Sequence, residues 1–177
     1  FMPQEVKSPS EIFSTLISKL NNNYSKADIA DITRAYEYAR DAHHGQKRLS
    51  GEDYVCHPLE VACIIADLSL DKATVMAGLL HDVLEDCDIP YDTLAKKFSP
   101  EIAEMVDGVT KLGKIKFTTQ EEEQVENLRK MFIATAKDVR VVLVKLCDRL
   151  HNMRTMDAQT KPKQLKKSLE TIEVYAP

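Results

Sequence analysis

The segment His81-Asp82-Val83-Leu84-Glu85-Asp86 sets an imidazole and three carboxylates directly after the apolar run Ala77-Gly78-Leu79-Leu80. Read as one helix, it places His81 and Glu85 at i and i+4, Asp82 and Asp86 likewise, and Asp82 and Glu85 at i and i+3. All four then crowd one sector. Like charges so placed repel, and burying them unpaired costs on the order of several kcal/mol each, so a bound cation is the natural compensator. The plain alternative is a solvated acidic face that closes a helix, with Cys87-Asp88-Ile89-Pro90 as its end.

Neutral imidazole and carboxylate suit Mn, Fe, Co, Ni or Zn ions, so a metal reading needs a further His and a further Asp in polar islands within apolar sequence. His57 is one. It stands before Pro58, which reads as the first position of a helix carrying Val61, Ala62, Ile64, Ile65 and Leu68; alone, such a histidine is more often a cap or core residue than a ligand. Asp148 is the other. Val139, Leu143, Leu146, Leu150 and Met153 recur at three- and four-residue steps, a core stripe on a helix. On another face of that helix Asp148, Asn152 and Thr155 fall at i, i+4 and i+7, a polar line suited to a metal and then a sugar or phosphate. Surface pairing of Asp148 with Lys145 or Arg149 is the competing account. A strand over Val139 to Val144 is the other local alternative, but the helical spacing continues to Met153 and no turn signal ends the run.

The order His57, His81-Asp82, Asp148 resembles the ligand order of the HD superfamily of metal-dependent phosphohydrolases. No histidine lies between Asp82 and Asp148, where dinuclear members carry extra ones, so one ion is expected. The resemblance is closer still. Arg48 to Tyr54 with His57-Pro58, Leu80 to Asp86, Val106 to Ile115, Glu126 to Phe132 and Lys145 to Thr155 are similar, in order and over nearly the whole chain, to the N-terminal hydrolase domain of the long bifunctional RelA/SpoT homologues.

That resemblance implies an all-α HD-domain helical bundle with a single metal site in its core cleft. The implied reaction is hydrolysis of the guanosine alarmones ppGpp and pppGpp at the 3′ position, giving pyrophosphate and GDP or GTP, with one Mn²⁺. His57, His81, Asp82 and Asp148 match the metal ligands, and Glu85 and Asp86 the acidic pair that positions and activates water. Arg48 matches the residue that packs on guanine, with Ser50 beside it, and Asn152 and Thr155 match nucleoside contacts. The resemblance further implies that residues 1–177 are one hydrolase domain of a longer chain, which continues beyond Tyr175-Ala176-Pro177 toward synthetase and regulatory domains; Phe1 ahead of Met2 reads as an added residue. Two positions depart from the family pattern. Leu49 stands where a basic or small polar residue is common, and Asp53 where Pro is frequent, which bears on phosphate contacts and on the rigidity of the loop before His57. The same ligand set also permits a nucleotidase acting on ordinary deoxynucleotides, or a catalytically silent regulatory domain. The Arg48–Tyr54 and Asn152–Thr155 segments favour the alarmone, and the intact acidic pair favours an enzyme.

Composition agrees with one cytoplasmic domain. The chain has 177 residues, 44% of them hydrophobic, and no apolar run of membrane length. Cys56, Cys63, Cys87 and Cys147 show no Cys-x-x-Cys spacing, which suits reduced thiols. A net charge of −4 argues against binding to nucleic-acid backbone, whereas Lys47 with Arg48, and Lys145 with Arg149 and Arg154, are local clusters for a small polyanion. Ser8-Pro9-Ser10-Glu11, Ser99-Pro100-Glu101 and Thr118-Thr119-Gln120-Glu121 read as helix starts. Helices are expected at about 26–44, 58–68, 72–87, 100–111, 119–137, 139–156 and 162–175, with Leu112 to Glu123 as a mobile loop.

Overall fold

The computed structural model describes residues 7–113, 133 and 137–172. Its elements are α1 (Pro9–Leu20), α2 (Lys26–Ala42), α3 (Cys56–Asp67), α4 (Lys72–Leu80), α5 (Val83–Asp86), α6 (Tyr91–Lys97), α7 (Pro100–Gly113), α8 (Val139–Arg154), a 3₁₀ turn (Met156–Ala158) and α9 (Lys161–Glu170). No strand occurs among the described residues, only an isolated bridge between Lys47 and Asp53, so the all-α expectation holds. None of these helices is long and apolar enough to cross a membrane.

Two helices form the centre because their sequences are apolar on every side. α3 buries Leu59, Val61, Ala62, Cys63, Ile65 and Ala66, and α4 buries everything from Thr74 to Leu80. Such helices must be covered all round. α1 and α8 pack on α3, α2, α7 and α8 pack on α4, and α3 and α4 pack on each other. Their mutual approach depends on Gly78, where an added Cβ would overlap the Cδ1 of Ile65.

Local signals set the helix ends. Ser8 and Glu11 form a reciprocal capping box at α1, as the sequence suggests, and Ser25 with Asp28 forms a second at α2. Ser99 accepts from the Ile102 amide at the start of α7. Asp71 caps α4 through the Thr74 amide at 3.0 Å, and Asp138 caps α8 through the Arg140 amide at 2.9 Å. One guanidinium ties both caps together: Arg140 lies 2.7 Å from Asp71, 2.8 Å from Asp138 and 2.8 Å from Glu101 of α7.

The structure departs from the sequence reading in four places. The expected core stripe Val139, Leu143, Leu146, Leu150 and Met153 is not the buried face of α8: Val139 and Leu150 are exposed, and the helix instead turns Val141, Val142, Val144, Cys147, Asp148 and His151 inward, because the face that meets α3 and α4 carries the polar cluster. The expected helix 72–87 is broken into α4 and α5 at His81-Asp82, because the His81 ring Nδ1 lies 2.8 Å from the Gly78 carbonyl and competes for an acceptor of the helix ladder. α3 begins at Cys56, so Pro58 lies inside the first turn rather than opening it, where its missing N–H costs nothing. α6 was not foreseen; it follows Pro90 directly and buries only Leu94. The expected helix 119–137, its Thr118 start and most of the Leu112–Glu123 loop lie outside the described residues.

The crowding at Gly78 yields a stability prediction. Gly78→Ala removes a flexible glycine from a helix but forces a methyl against a fully buried side chain, for a net loss of about 1–2 kcal/mol. Ile65→Val removes the obstructing Cδ1, so Gly78→Ala should cost clearly less in that background. Urea denaturation of the four proteins measures this; equal costs in both backgrounds would place the constraint elsewhere.

Candidate metal centre and nucleotide cleft

Three helices bring residues far apart in sequence to one point, with Asp82 at its border. His57 comes from the first turn of α3, His81 ends α4, Asp82 begins the break before α5, and Asp148 lies midway along α8. His57 and His81 are each 2% exposed and Asp148 7%. One ligand atom from each of these three lies within 4.8 Å of the others, the only such cluster found among the described residues. His57 Nε2 is 3.1 Å from Asp148 Oδ1, and His81 Nε2 is 3.8 Å from the same oxygen. Asp82 borders the cluster, with Oδ1 3.2 Å from His81 Nε2 and Oδ2 3.8 Å from His57 Nε2.

The hydrogen bonds fix what the imidazoles offer. A carbonyl only accepts, so His81 Nδ1 carries the proton and donates to Gly78, leaving Nε2 with its lone pair. That Nε2 is buried and has no hydrogen-bond partner. An orphaned buried acceptor facing a carboxylate and a second imidazole is what a divalent cation satisfies. His57 Nδ1 lies 2.7 Å from His151 Nδ1, a contact that holds one proton between two neutral rings. With that proton on His57, its Nε2 also faces the cluster as a lone pair.

Protonation states favour a cation as well. Burial pushes the His57 pKa below its ordinary value, against the opposing pull of Asp148. Burial works against the Asp148 carboxylate, yet Lys145, His57 and His81 together hold its pKa well below the usual range. Lys145 does pair with Asp148, at 2.9 Å, but the pair is drawn into the protein rather than spread on its surface. Burial keeps the thiols protonated, with pKa about 11 for Cys56, Cys87 and Cys147 and about 12 for Cys63; all four are free, and none joins the cluster.

Beside the cluster the expected nucleotide contacts meet. Arg48 Nη2 donates to Asn152 Oδ1 at 3.2 Å and lies 3.5 Å from the Thr155 hydroxyl, while its Nε is 3.5 Å from Glu52. Asn152 in turn donates to Asp148, which links this group to the cluster. Arg48 is presented by a tight turn closed by Gly51 N–H to the Arg48 carbonyl at 2.9 Å, with Gly51 at φ 90°, a conformation that suits glycine. Ser50 and Leu49 sit exposed at the tip of that turn. Asp53, in place of the frequent proline, is paired with Lys47 at 2.5 Å across the base of the loop. Glu85 and Asp86 are exposed on α5, and Asp86 accepts from the Tyr54 hydroxyl at 2.7 Å.

This arrangement coincides with a recognised sequence pattern: the family model described as HD domain matches residues 35–177. The chain belongs to the HD domain family. This HD domain is 45% identical over 166 residues to the bifunctional (p)ppGpp synthase/hydrolase SpoT of Escherichia coli K12, a match covering 94% of this chain and 24% of that protein. It is 54% identical over 139 residues to a guanosine-3′,5′-bis(diphosphate) 3′-pyrophosphohydrolase of Haemophilus influenzae, covering 78% of this chain and 20% of that one. The chain thus spans about a quarter or less of the length of these curated relatives. Among solved structures it is similar to a metazoan orthologue of SpoT that hydrolyses ppGpp, with TM-score 0.66 and 26% identity, covering 82% of this chain and 83% of that one.

Sequence reasoning brought out the cluster but gave Tyr54 no role, and made His151 only the next candidate for a proton carrier should Glu85 or Asp86 be a ligand. His151 follows Asp148 by one turn of α8 and packs on His57, and Tyr54 precedes His57 by one turn's length; that spacing was the available signal.

Buried neutral imidazoles make the metal-free protein acid-sensitive. Burial, then His57 and Arg48, lower the His151 pKa to about 3, and His57 is lowered too. The unfolded value is about 6.5, so this stability is fully present above that pH and is lost as pH falls toward the folded values. Urea midpoints of chelator-treated protein should fall between pH 6.5 and 4. His151→Asn, which cannot titrate there, should flatten part of the decline; an unchanged slope would mean that His151 is not the neutral group.

Proposed function

We propose that this chain is the alarmone-hydrolase portion of a longer protein, cleaving ppGpp and pppGpp at the 3′ position. The reading is carried by the orphaned His81 Nε2 converging with His57, Asp82 and Asp148, beside an exposed acidic pair and an Arg48–Asn152–Thr155 group. The names and title of the relatives supply the substrate. Residues 1–177 are taken as one HD-type unit, cytoplasmic and without direct nucleic-acid contacts, whose synthetase and regulatory partners belong to the rest of the longer chain.

His57, His81, Asp82 and Asp148 are assigned as ligands of one divalent ion, with Mn²⁺ the member of the suitable series we favour. Such an ion, when bound, polarises a phosphoryl oxygen and lowers the pKa of water. The protein's own groups do the rest. Glu85 and Asp86 orient the attacking water and take its proton. Water oxygen joins the phosphorus of the 3′-diphosphate, the O3′–P bond breaks, and the proton taken from the water is passed on to O3′, which leaves in GDP or GTP while pyrophosphate departs. Arg48 is assigned to the guanine face, since a planar guanidinium stacks on a purine and keeps its donors free at the rim. Asn152 and Thr155 hold the ribose side, with Ser50 at the turn tip.

Two outcomes test these roles. Glu85→Gln keeps shape but cannot take a proton, so Mn²⁺ and ppGpp binding should persist while kcat falls by roughly 10²–10⁴; Asp148→Ala should lose metal and turnover together. Calorimetry with Mn²⁺ and pyrophosphate release from ppGpp measure both, and loss of metal in Glu85→Gln would make that carboxylate a ligand instead. Arg48→Ala should raise KM for ppGpp with metal content intact. Unaltered kinetics in that variant would move the base pocket, and turnover of ordinary deoxynucleotides in preference to ppGpp would overturn the substrate.

A further inference from the structure

The Tyr54 hydroxyl contacts two carboxylates at once, lying 2.9 Å from Asp82 Oδ2 and 2.7 Å from Asp86 Oδ2. These are the acidic groups on either side of the proposed division of labour, one beside the ion and one beside the water. We propose that Tyr54 is a positioning residue that sets both: its one hydroxyl proton, shared between the two carboxylates, occupies Asp82 Oδ2, leaving Oδ1 for the ion, and holds the Asp86 side chain toward the same cleft. The assignment rests on the function proposed above.

Geometry supports it from both ends. Asp82 Oδ1, the oxygen Tyr54 does not touch, is the one 3.2 Å from His81 Nε2. Tyr54 is itself held on several sides. Its amide donates to the Gln46 carbonyl at 3.0 Å, and its ring stacks on His43 with centroids 4.6 Å apart and planes at 21°. His43 is buried and its Nδ1 lies 2.8 Å from Gln46 Oε1. The Gln46 amide then donates to the Asp86 carbonyl at 3.1 Å. Two tethers from the loop before α3 therefore reach Asp86, one to its side chain and one to its main chain. Burial, with Asp82 and Asp86 adding to it, drives the phenol pKa up, so the hydroxyl keeps the proton it donates. Hydrogen-bond partners of metal ligands typically alter metal affinity or activity about 10–100-fold when removed.

Tyr54→Phe removes the hydroxyl and keeps the ring on His43. In the 177-residue protein it should raise the Mn²⁺ dissociation constant about 10-fold or more, measured calorimetrically without nucleotide. At saturating Mn²⁺ it should also lower kcat for ppGpp by about 10-fold with KM little changed. The two effects separate in a double-mutant cycle. In an Asp86→Asn background the kcat cost of Tyr54→Phe should vanish, because it acts through Asp86, whereas the Mn²⁺ cost should persist, because it acts through Asp82. Unchanged Mn²⁺ affinity, or a kcat cost that simply multiplies with that of Asp86→Asn, overturns the proposal. The Mn²⁺ arm involves no substrate, so a wild-type chain that binds Mn²⁺ but spares ppGpp overturns the hydrolase reading while Tyr54 is still judged by its effect on the metal. A wild type that takes up no Mn²⁺ overturns both.

Discussion

The two imidazoles of the cluster come from neighbouring helices, and the contact between those helices is tightest at Gly78, where no side chain would fit without a shift. Its missing side chain leaves room for Ile65 of α3, and its carbonyl takes the His81 ring N–H. One residue thus brings α4 onto α3, ends the α4 ladder at the right place and selects the His81 tautomer. The break that follows turns Asp82 back toward the imidazoles, which a continuous helix would not require.

The electrostatics follow from burial. A neutral His57 and an ionised Asp148 are the forms in which such side chains hold a cation, and the surroundings extend both states to lower pH than the free groups would keep them. Lys145 is central to this, because it sustains the Asp148 charge against a large desolvation cost. The basic residue is therefore part of an acidic site, and its pairing with Asp148 does not compete with the site but maintains it.

Much of this was legible in the sequence, for physical reasons. Helix starts at Ser8 and Ser99 rest on side-chain oxygens next to proline, a signal confined to a few residues. The four candidate residues stood out because polar groups in apolar runs are costly. Periodicity could not show the α4–α5 break, since it depends on a ring-to-carbonyl hydrogen bond rather than on composition. Nor could it anticipate α6, whose single buried side chain leaves almost no pattern. Tyr54 and His151 were within quoted motifs, but their roles come from contacts between chain-distant segments, which spacing along one helix does not encode.

Arg140 gives the frame a second property. Asp71 begins α4 and His81 ends it, while Arg140 lies near the start of α8 and Asp148 farther along. Arg140 meets Asp71, and Asp148 meets His81, so the two helices run in the same direction and face each other at two rungs, an ion pair at Arg140 and an approach without a hydrogen bond at His81, separated by roughly 12–15 Å at 1.5 Å per residue. Sliding one helix past the other would strain both rungs together. The lower rung is made of protein alone and fixes the register from which the upper one is built. The groups proposed to hold an ion are thereby set beside one another by contacts within the protein itself.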